Sequence, residues 1–389
     1  MKFFKKKSFT FLMTILMMFT LVACGGDKKE TTSTSTNENG ELVIGVTSFA
    51  DTLEPTEQYF SWVITRYGVG ENLVRFDEHG ELQASLAEDW KVSDDKLTWE
   101  FKIRDGVKFS NGNPLTAEAV KSSLERTFRK SKRAEGFFKP ASIVADGQTL
   151  KISTEKPVAI LPQCLADPLF LILDTSDNVE EYTTNAPICT GPYVFKEFVP
   201  TEYAVVERNE NYWDGKPGLA KVTFKCINDQ STRSLSLKTG EIGVAYNLKI
   251  ENKADFEGQD DINIQELKSL RSTYAFMNQN GVLKDISLRQ ALIRALDKKA
   301  YTENLLGGAA TPGKAPIPPT LDFGFDKLVD ENAYNPESSK EILAKAGYKD
   351  VDGDGFVEKP DGSKLELNFV IYTSREGREI GRASCRERV

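Results

Sequence analysis

Apolar positions recur along this chain in two rhythms. Thr98-Trp99-Glu100-Phe101-Lys102-Ile103 alternates apolar and polar residues with period two, which predicts a strand with one buried face. Glu41-Leu42-Val43-Ile44-Gly45-Val46 is a short apolar run following Gly40 and predicts another strand. Similar runs predict strands at Leu150–Ser153, Tyr193–Phe198, Tyr203–Glu207, Val222–Asn228 and Leu365–Tyr372. From Thr116 to Arg129 the spacing changes to that of a helix. Thr116 is placed to cap the N-terminus, Glu118 lies in the first turn, and Val120, Leu124 and Phe128 fall on one face. Helices are also expected over Ser287–Leu306 and Pro336–Ala346, the second closed by Gly347. Strands mixed with helices, and no short repeat, imply an α/β or α+β body of more than one lobe.

The first residues follow neither rhythm. Lys2, Lys5, Lys6 and Lys7 precede an apolar run from Phe9 to Ala23, ending in small residues. This is the layout of a secretory signal, here residues 1–23, and the run is shorter than the ~20 residues a spanning helix needs. Leu21-Val22-Ala23-Cys24 resembles a bacterial lipobox, which implies acylation of Cys24 and anchoring at a membrane by lipid. Residues 24–40 then read as the lipidated cysteine and a flexible tether, because the polar run from Gly25 to Gly40 has no apolar face to offset its ordering entropy.

Composition narrows the function. The 389 residues are 40% hydrophobic and 28% charged, an ordinary globular make-up with length enough for two or three domains. Loss of the signal, which holds four lysines and no acids, moves the net charge from −8 to −12, with 46 basic residues against 58 acidic ones. Such a surface argues against nucleic acid and against adhesion to anionic lipid. The five cysteines match no zinc spacing. With Cys24 assigned to lipid, Cys164, Cys189 and Cys226 are either buried free thiols or supply one disulfide.

The run from Ala87 to Arg126 is more specific. Trp90, Ser93, Asp95, Thr98-Trp99, Phe101, Arg104-Asp105-Gly106-Val107-Lys108-Phe109, Gly112, Pro114-Leu115-Thr116-Ala117 and Val120 stand in the order and spacing of a known signature region. Thr190-Gly191-Pro192-Tyr193, Glu207–Pro217, Ser231-Thr232-Arg233, Gly240-Glu241-Ile242, Arg289-Gln290-Ala291 and Asp352-Gly353-Asp354-Gly355 follow in sequence. On these residues the chain resembles family 5 of the ABC-transporter solute-binding proteins, the oligopeptide, dipeptide and nickel receptors. Cys189 departs from the pattern, which has a small residue before Thr-Gly-Pro-Tyr. The resemblance implies an α/β, bilobed, periplasmic-binding-protein type II-like fold with an extra small domain inserted in lobe I. Carried over, lobe I comprises residues 41–70 and 182–280, the inserted domain 71–181, and an incomplete lobe II residues 281–378. Residues 379–389 (EIGRASCRERV) fit no family element and match the translation of a common sequencing adapter, so they read as a non-native tail.

What the resemblance implies for function is an extracytoplasmic lipoprotein that captures peptides between two lobes and delivers them to an ABC permease. A nickel-chelate receptor of the same family is the alternative. An exported surface enzyme or an adhesin would be a different class, but no nucleophile–base set or placed carboxylate pair for enzymatic work is visible, and no cofactor motif is present. A monomer is expected. By resemblance, Tyr59, Phe60, Ser61 and Trp62, after Leu53-Glu54-Pro55, face the ligand, as do Tyr246 and Asn247; Phe137 and Phe138 approach from the inserted domain. Aromatic walls with a few amides suit a ligand bound through its backbone or by shape, though each aromatic could equally be core. Asp350-x-Asp352-x-Asp354-Gly355 resembles the start of a calcium loop, with Asp361 where the bidentate glutamate belongs; a tight Asp/Gly turn is the other reading. His79, the only histidine, is expected on a surface turn.

Overall fold

The computed structural model describes residues 40–47, 50–176, 178–321 and 323–370. The signal peptide, Cys24, the tether up to residue 39 and the tail from 379 to 389 lie outside them. Two compact units are present. One runs to Ile227 and takes in Glu241–Val244; the other is Asn228–Gly240 with the residues from Ala245 onward.

The first unit holds two main sheets. In one, β1 (Gly40–Val46) pairs in parallel with β10 (Leu219–Cys226), which continues antiparallel to β9 (Tyr203–Arg208) and β8 (Tyr193–Val199). A two-residue edge strand, β11 (Val244–Ala245), lies beyond β1. The hairpin of β2 (Val74–Phe76) and β3 (Leu82–Ala84) leads to a four-stranded antiparallel sheet in the order β4-β5-β7-β6, with β4 at Ala87–Val92, β5 at Thr98–Ile103, β6 at Pro140–Asp146 and β7 at Thr149–Thr154. Period-two alternation explains β5 and β7: Phe101, Ile103, Leu150 and Ile152 are fully buried on one face, while Glu100 joins Lys91 and Lys151 in ion pairs on the other. Each such buried aromatic or aliphatic side chain contributes about 1.5–3 kcal/mol.

The helices complete two cores. α1 (Ser61–Arg66) packs Val63 and Ile64 under the first sheet with Leu53, Val206 and Val222. Tyr67, just after it, stacks on Phe224 at 3.6 Å and 4°. α2 (Ala117–Lys130) starts where the sequence predicts, with the Thr116 hydroxyl accepting from Ala119 N at 3.2 Å, and buries Ala117, Val120 and Leu124 against the second sheet. α3 (Leu161–Leu165) closes that core with Leu169 and Phe170, and α4 (Val179–Tyr182) follows on the surface.

In the second unit, α5 (Gln230–Lys238) is capped by Asp229, whose carboxylate accepts from Thr232 N at 2.7 Å. α6 (Ile286–Arg294) and α8 (Pro336–Lys345) pack together, and Ser339 Oγ donates to Ala291 O at 2.7 Å. Gly347 adopts φ 91° after α8, as its C-capping role requires.

Three expectations shift. The helix expected over Ser287–Leu306 stops at Arg294, because Asp297 caps a new turn, α7 (Lys298–Ala300), by accepting from Ala300 N at 2.9 Å, and a π turn follows at Tyr301–Leu305. β10 is displaced toward the N-terminus from Val222–Asn228, since Asp229 is committed to its cap and Leu219 pairs with Gly40 across a bulge. Of the strand expected over Leu365–Tyr372, Leu365–Val370 takes part in no ladder among the described residues, and residues 371–372 lie outside them.

A candidate ligand-binding surface

The loop from Thr52 to Phe60 carries the first set of expected ligand residues. Its anchor is Glu54, 2% exposed, whose carboxylate is fully occupied. Arg126 Nη1 and Nη2 donate to its two oxygens at 3.1 and 2.6 Å. Thr56 donates through its backbone N at 3.0 Å and its hydroxyl at 2.5 Å, and Thr183 Oγ1 donates at 3.1 Å. Arg126, 1% exposed on α2, reaches Glu180 as well, Nε and Nη2 each at 3.0 Å, and Lys130 also pairs with Glu180. Burial alone would push the Glu54 carboxyl up; the hydrogen bonds from Arg126 and Thr56 overcome it and bring the group to about 2.

Beyond Glu54 the chain turns tightly. Gln58 takes a left-handed conformation (φ 43°), and Arg133 Nη1 donates to its carbonyl. The Arg133 guanidinium lies 4.4 Å from the centroid of the Tyr59 ring, a cation–π distance. Tyr59 is 66% exposed and Trp62 36%, so both present aromatic surface to solvent, and Arg66 lies 5.4 Å above the Trp62 ring. Phe60 and Ser61 differ from expectation: they are 4% and 0% exposed, because Phe60 joins the α1 core and Ser61 begins the buried side of α1. Phe138 is likewise core, wedged between Phe128 (5.1 Å) and Phe170 (5.5 Å). Phe137 is half-buried and meets Phe170 edge-on at 5.4 Å. The structure thus takes Phe60, Ser61 and Phe138 out of the accessible surface, and keeps Tyr59 and Trp62 in it.

In the second unit, Tyr246 and Asn247 are exposed, Tyr246 at 51%. Asn247 is left-handed (φ 60°), and Arg233, fully buried on α5, holds this turn by donating Nη2 to the Asn247 carbonyl at 2.9 Å and Nη1 to that of Asn228 at 3.3 Å. Gln230 Oε1 accepts from Lys249 N at 3.2 Å. Neither Arg126 nor Arg233 was singled out from sequence as a support. Both are arginines on predominantly polar helix stretches, and their partners at Glu54 and Asn247 are 72 and 14 residues away.

The acidic loop has the hydrogen bonding of the Asp/Gly turn, one of its two expected readings. Asp350 spends both oxygens on Gly353 N (2.6 Å) and Gly355 N (2.9 Å), Asp352 accepts from Asp354 N, and Asp354 from Phe356 N. Asp350, Asp352 and Glu358 are the carboxylates that approach one another, with Asp354 outside the group. These are turn-forming bonds, and they describe a tight Asp/Gly turn. His79 is exposed in a turn after Phe76. Cys164 and Cys189 are buried free thiols, and Cys226 is half-buried.

A second acid, half-buried, stands apart from these loops. Glu71 accepts from Trp213 Nε1 at 3.0 Å and Tyr212 OH at 3.4 Å; burial pushes its carboxyl up, and the Arg104 guanidinium lies 4.5 Å from the centroid of the Trp213 ring. It ties the Glu207–Pro217 block to the chain following Gly70.

Residues 81–382 match the family model of the bacterial extracellular solute-binding proteins, family 5. The chain belongs to that family. Among its relatives is the probable D,D-dipeptide-binding periplasmic protein DdpA of Escherichia coli, 30% identical over 327 residues, covering 80% of this chain and 62% of the relative. The solved NikA of Staphylococcus aureus in complex with Ni(L-His)2 superposes with a TM-score of 0.70 at 26% identity, covering 79% of this chain and 65% of that one. The oligopeptide-binding protein AppA of Bacillus subtilis, solved with a nonapeptide, gives 0.68 at 28% identity, covering 84% and 67%. The chain spans about three fifths of the length of the first curated relatives it matches. Its fold class is that of the bilobed family 5 binding proteins, and members of the family are extracellular or periplasmic substrate-binding proteins rather than enzymes.

Proposed function

We propose that this protein is the receptor of an ABC importer that captures peptides outside the cytoplasmic membrane and hands them to the permease subunits. It works as a monomer, held at the membrane by acyl chains on Cys24. The observation that carries the peptide reading is the make-up of its accessible ligand-facing stretches. Tyr59 and Trp62 expose aromatic faces in one, and Tyr246 and Asn247 an aromatic face and an amide in the other. Such surfaces grip a peptide through its backbone and by shape, tolerating many side chains. The likeness to AppA and DdpA agrees with this reading.

A nickel-chelate ligand is the second reading, favoured by the likeness to NikA. The chain's single histidine is exposed on a turn, so a metal would have to arrive with its ligands already in place. Calorimetry of the mature protein against pools of di- to pentapeptides, and separately against nickel–histidine, tests both. Saturable binding of a peptide pool and none of nickel–histidine is expected. Binding of nickel–histidine alone would replace the peptide reading with the second, and no binding of either would overturn both.

A further inference from the structure

The Glu54–Arg126 pair asks for an explanation that stability does not supply. Removing two charges from water is costly, and apolar residues of similar volume fill such a site as well or better. What an apolar pair lacks is direction. Glu54 here receives five hydrogen bonds from three separate stretches of chain: Thr56 on its own loop, Arg126 on α2 and Thr183 after α4. Each fixes the carboxylate from a different side, so the loop has one permitted path from Leu53 onward. Leu53 N reinforces that path by donating to Thr184 O at 2.8 Å.

The turn that follows α2 supplies a second hold. Arg133 lies three residues beyond α2, and it grips the loop at Gln58 and Tyr59 through the carbonyl and the ring described above. Between the two holds the backbone runs through short turns, Glu57 N to Glu54 O and Phe60 N to Glu57 O, each at 3.2 Å, with Gln58 in a conformation that a non-glycine residue adopts only under constraint. Trp62 N then donates to Tyr59 O at 3.0 Å, joining Tyr59 to the start of α1. α2 and the turn after it therefore hold the loop at two points, Glu54 and Gln58–Tyr59, without presenting a ligand surface themselves.

We infer that Glu54 and Arg126, with Arg133, are positioning residues that hold the Thr52–Trp62 segment in one conformation and so preset Tyr59 and Trp62 for ligand. The inference rests on the reading of those two aromatics as ligand-facing. A preset aromatic surface binds with less ordering cost than one that must be assembled around each ligand.

The test is hydrogen–deuterium exchange of the mature protein without ligand, followed by calorimetry with the same peptide pools, on Glu54→Gln and on Arg133→Leu. Glu54→Gln keeps one acceptor oxygen, enough for Thr56 or for Thr183 but not both, and removes the charge that Arg126 answers. Arg133→Leu changes a partly exposed side chain, and decides the matter if Glu54→Gln does not fold. Exchange in Thr52–Trp62 is expected to rise at least tenfold in either variant, with strands β9 and β10 unchanged, and peptide affinity to fall about tenfold. Unchanged exchange in that segment of a folded variant would overturn the inference, as would a freed segment with parental affinity. If the parent binds no peptide, the peptide reading fails by itself, and the exchange result still decides whether these side chains hold the loop.

Discussion

Gly191 lies where two backbones cross with no room for a side chain. A Cβ placed on it would stand 2.5 Å from the carbonyl oxygens of both Gly68 and Val69 and 2.8 Å from the Val69 carbonyl carbon. Real contacts of this kind stay beyond 3.0 Å, so Gly191→Ala forces a retreat of about 0.5 Å by main chain rather than by a flexible side chain. Four hydrogen bonds lie across the crossing: Gly191 N to Val69 O (3.0 Å), Tyr193 N to Gly68 O (3.0 Å), Asn209 N to Pro192 O (2.8 Å) and Asn209 Nδ2 to Gly191 O (2.8 Å). Overpacking costs about 1–3 kcal/mol, and weakening two of these bonds adds about 1–2 more. The sum, roughly 2–5 kcal/mol, corresponds to a fall in Tm of about 4–20 °C for a unit of this size. Scanning calorimetry of Gly191→Ala beside Gly215→Ala isolates the cause. Gly215 has open space around its Cβ position but φ 88°, so its substitution carries only the roughly 1 kcal/mol of a left-handed alanine. A Gly191→Ala protein melting within 2 °C of the parent, or no lower than Gly215→Ala, would refute the steric argument.

Other expectations concern binding, acid and anchoring. Tyr59→Ala, Trp62→Ala and Asn247→Ala should each weaken peptide binding by about 1–3 kcal/mol in calorimetry while shifting the ligand-free Tm by under 2 °C, since these side chains are exposed. Because the Glu54 carboxyl is held at about 2, well below its ordinary range, its contribution is complete above pH 4.5 and disappears as pH falls toward 2. The loss amounts to about 3 kcal/mol and should be missing from the pH profile of urea unfolding in Glu54→Gln. Cys24→Ala should abolish labelling by an alkyne fatty acid in live cells and release the protein into the soluble fraction; continued labelling would exclude the lipid anchor.

Local pattern made much of the fold legible. Strand β5 and the start of α2 were readable to the residue, because alternation around Phe101 and the Thr116 cap are each written within a few positions. Short edge pieces were not: β2 and β3 span three residues each, too few for any period to register. Asp297 was read as the interior of a helix when its carboxylate starts a new turn, a choice that depends on backbone angles rather than composition. At the candidate site, sequence indicated the stretches but not which side chains face out. Tyr59-Phe60-Ser61-Trp62 contains two exposed and two buried residues, and α1 divides them by its rotation over the core. The support at Arg126 and Arg233 was invisible because an ion pair or carbonyl contact across many residues leaves no periodic trace.

The free thiols bear on how such a protein matures. Cys164 and Cys189 are buried, and burial pushes both thiols up, Cys189 further under the negative charge of Glu71. The thiolate is the species that attacks disulfides and oxidants, so in the folded protein these sulfurs are chemically silent. On the proposed route of export, the same sulfurs are unprotected in a chain that emerges unfolded from a translocon. Redox safety is thus acquired during folding, and its hazard is confined to a kinetic interval: any lesion that slows closure of the cores around Leu165 and Val206 lengthens the time in which a wrong disulfide can trap the chain. Extracellular yield of destabilised variants should then depend on the oxidant around the cell, even where their equilibrium stability remains sufficient.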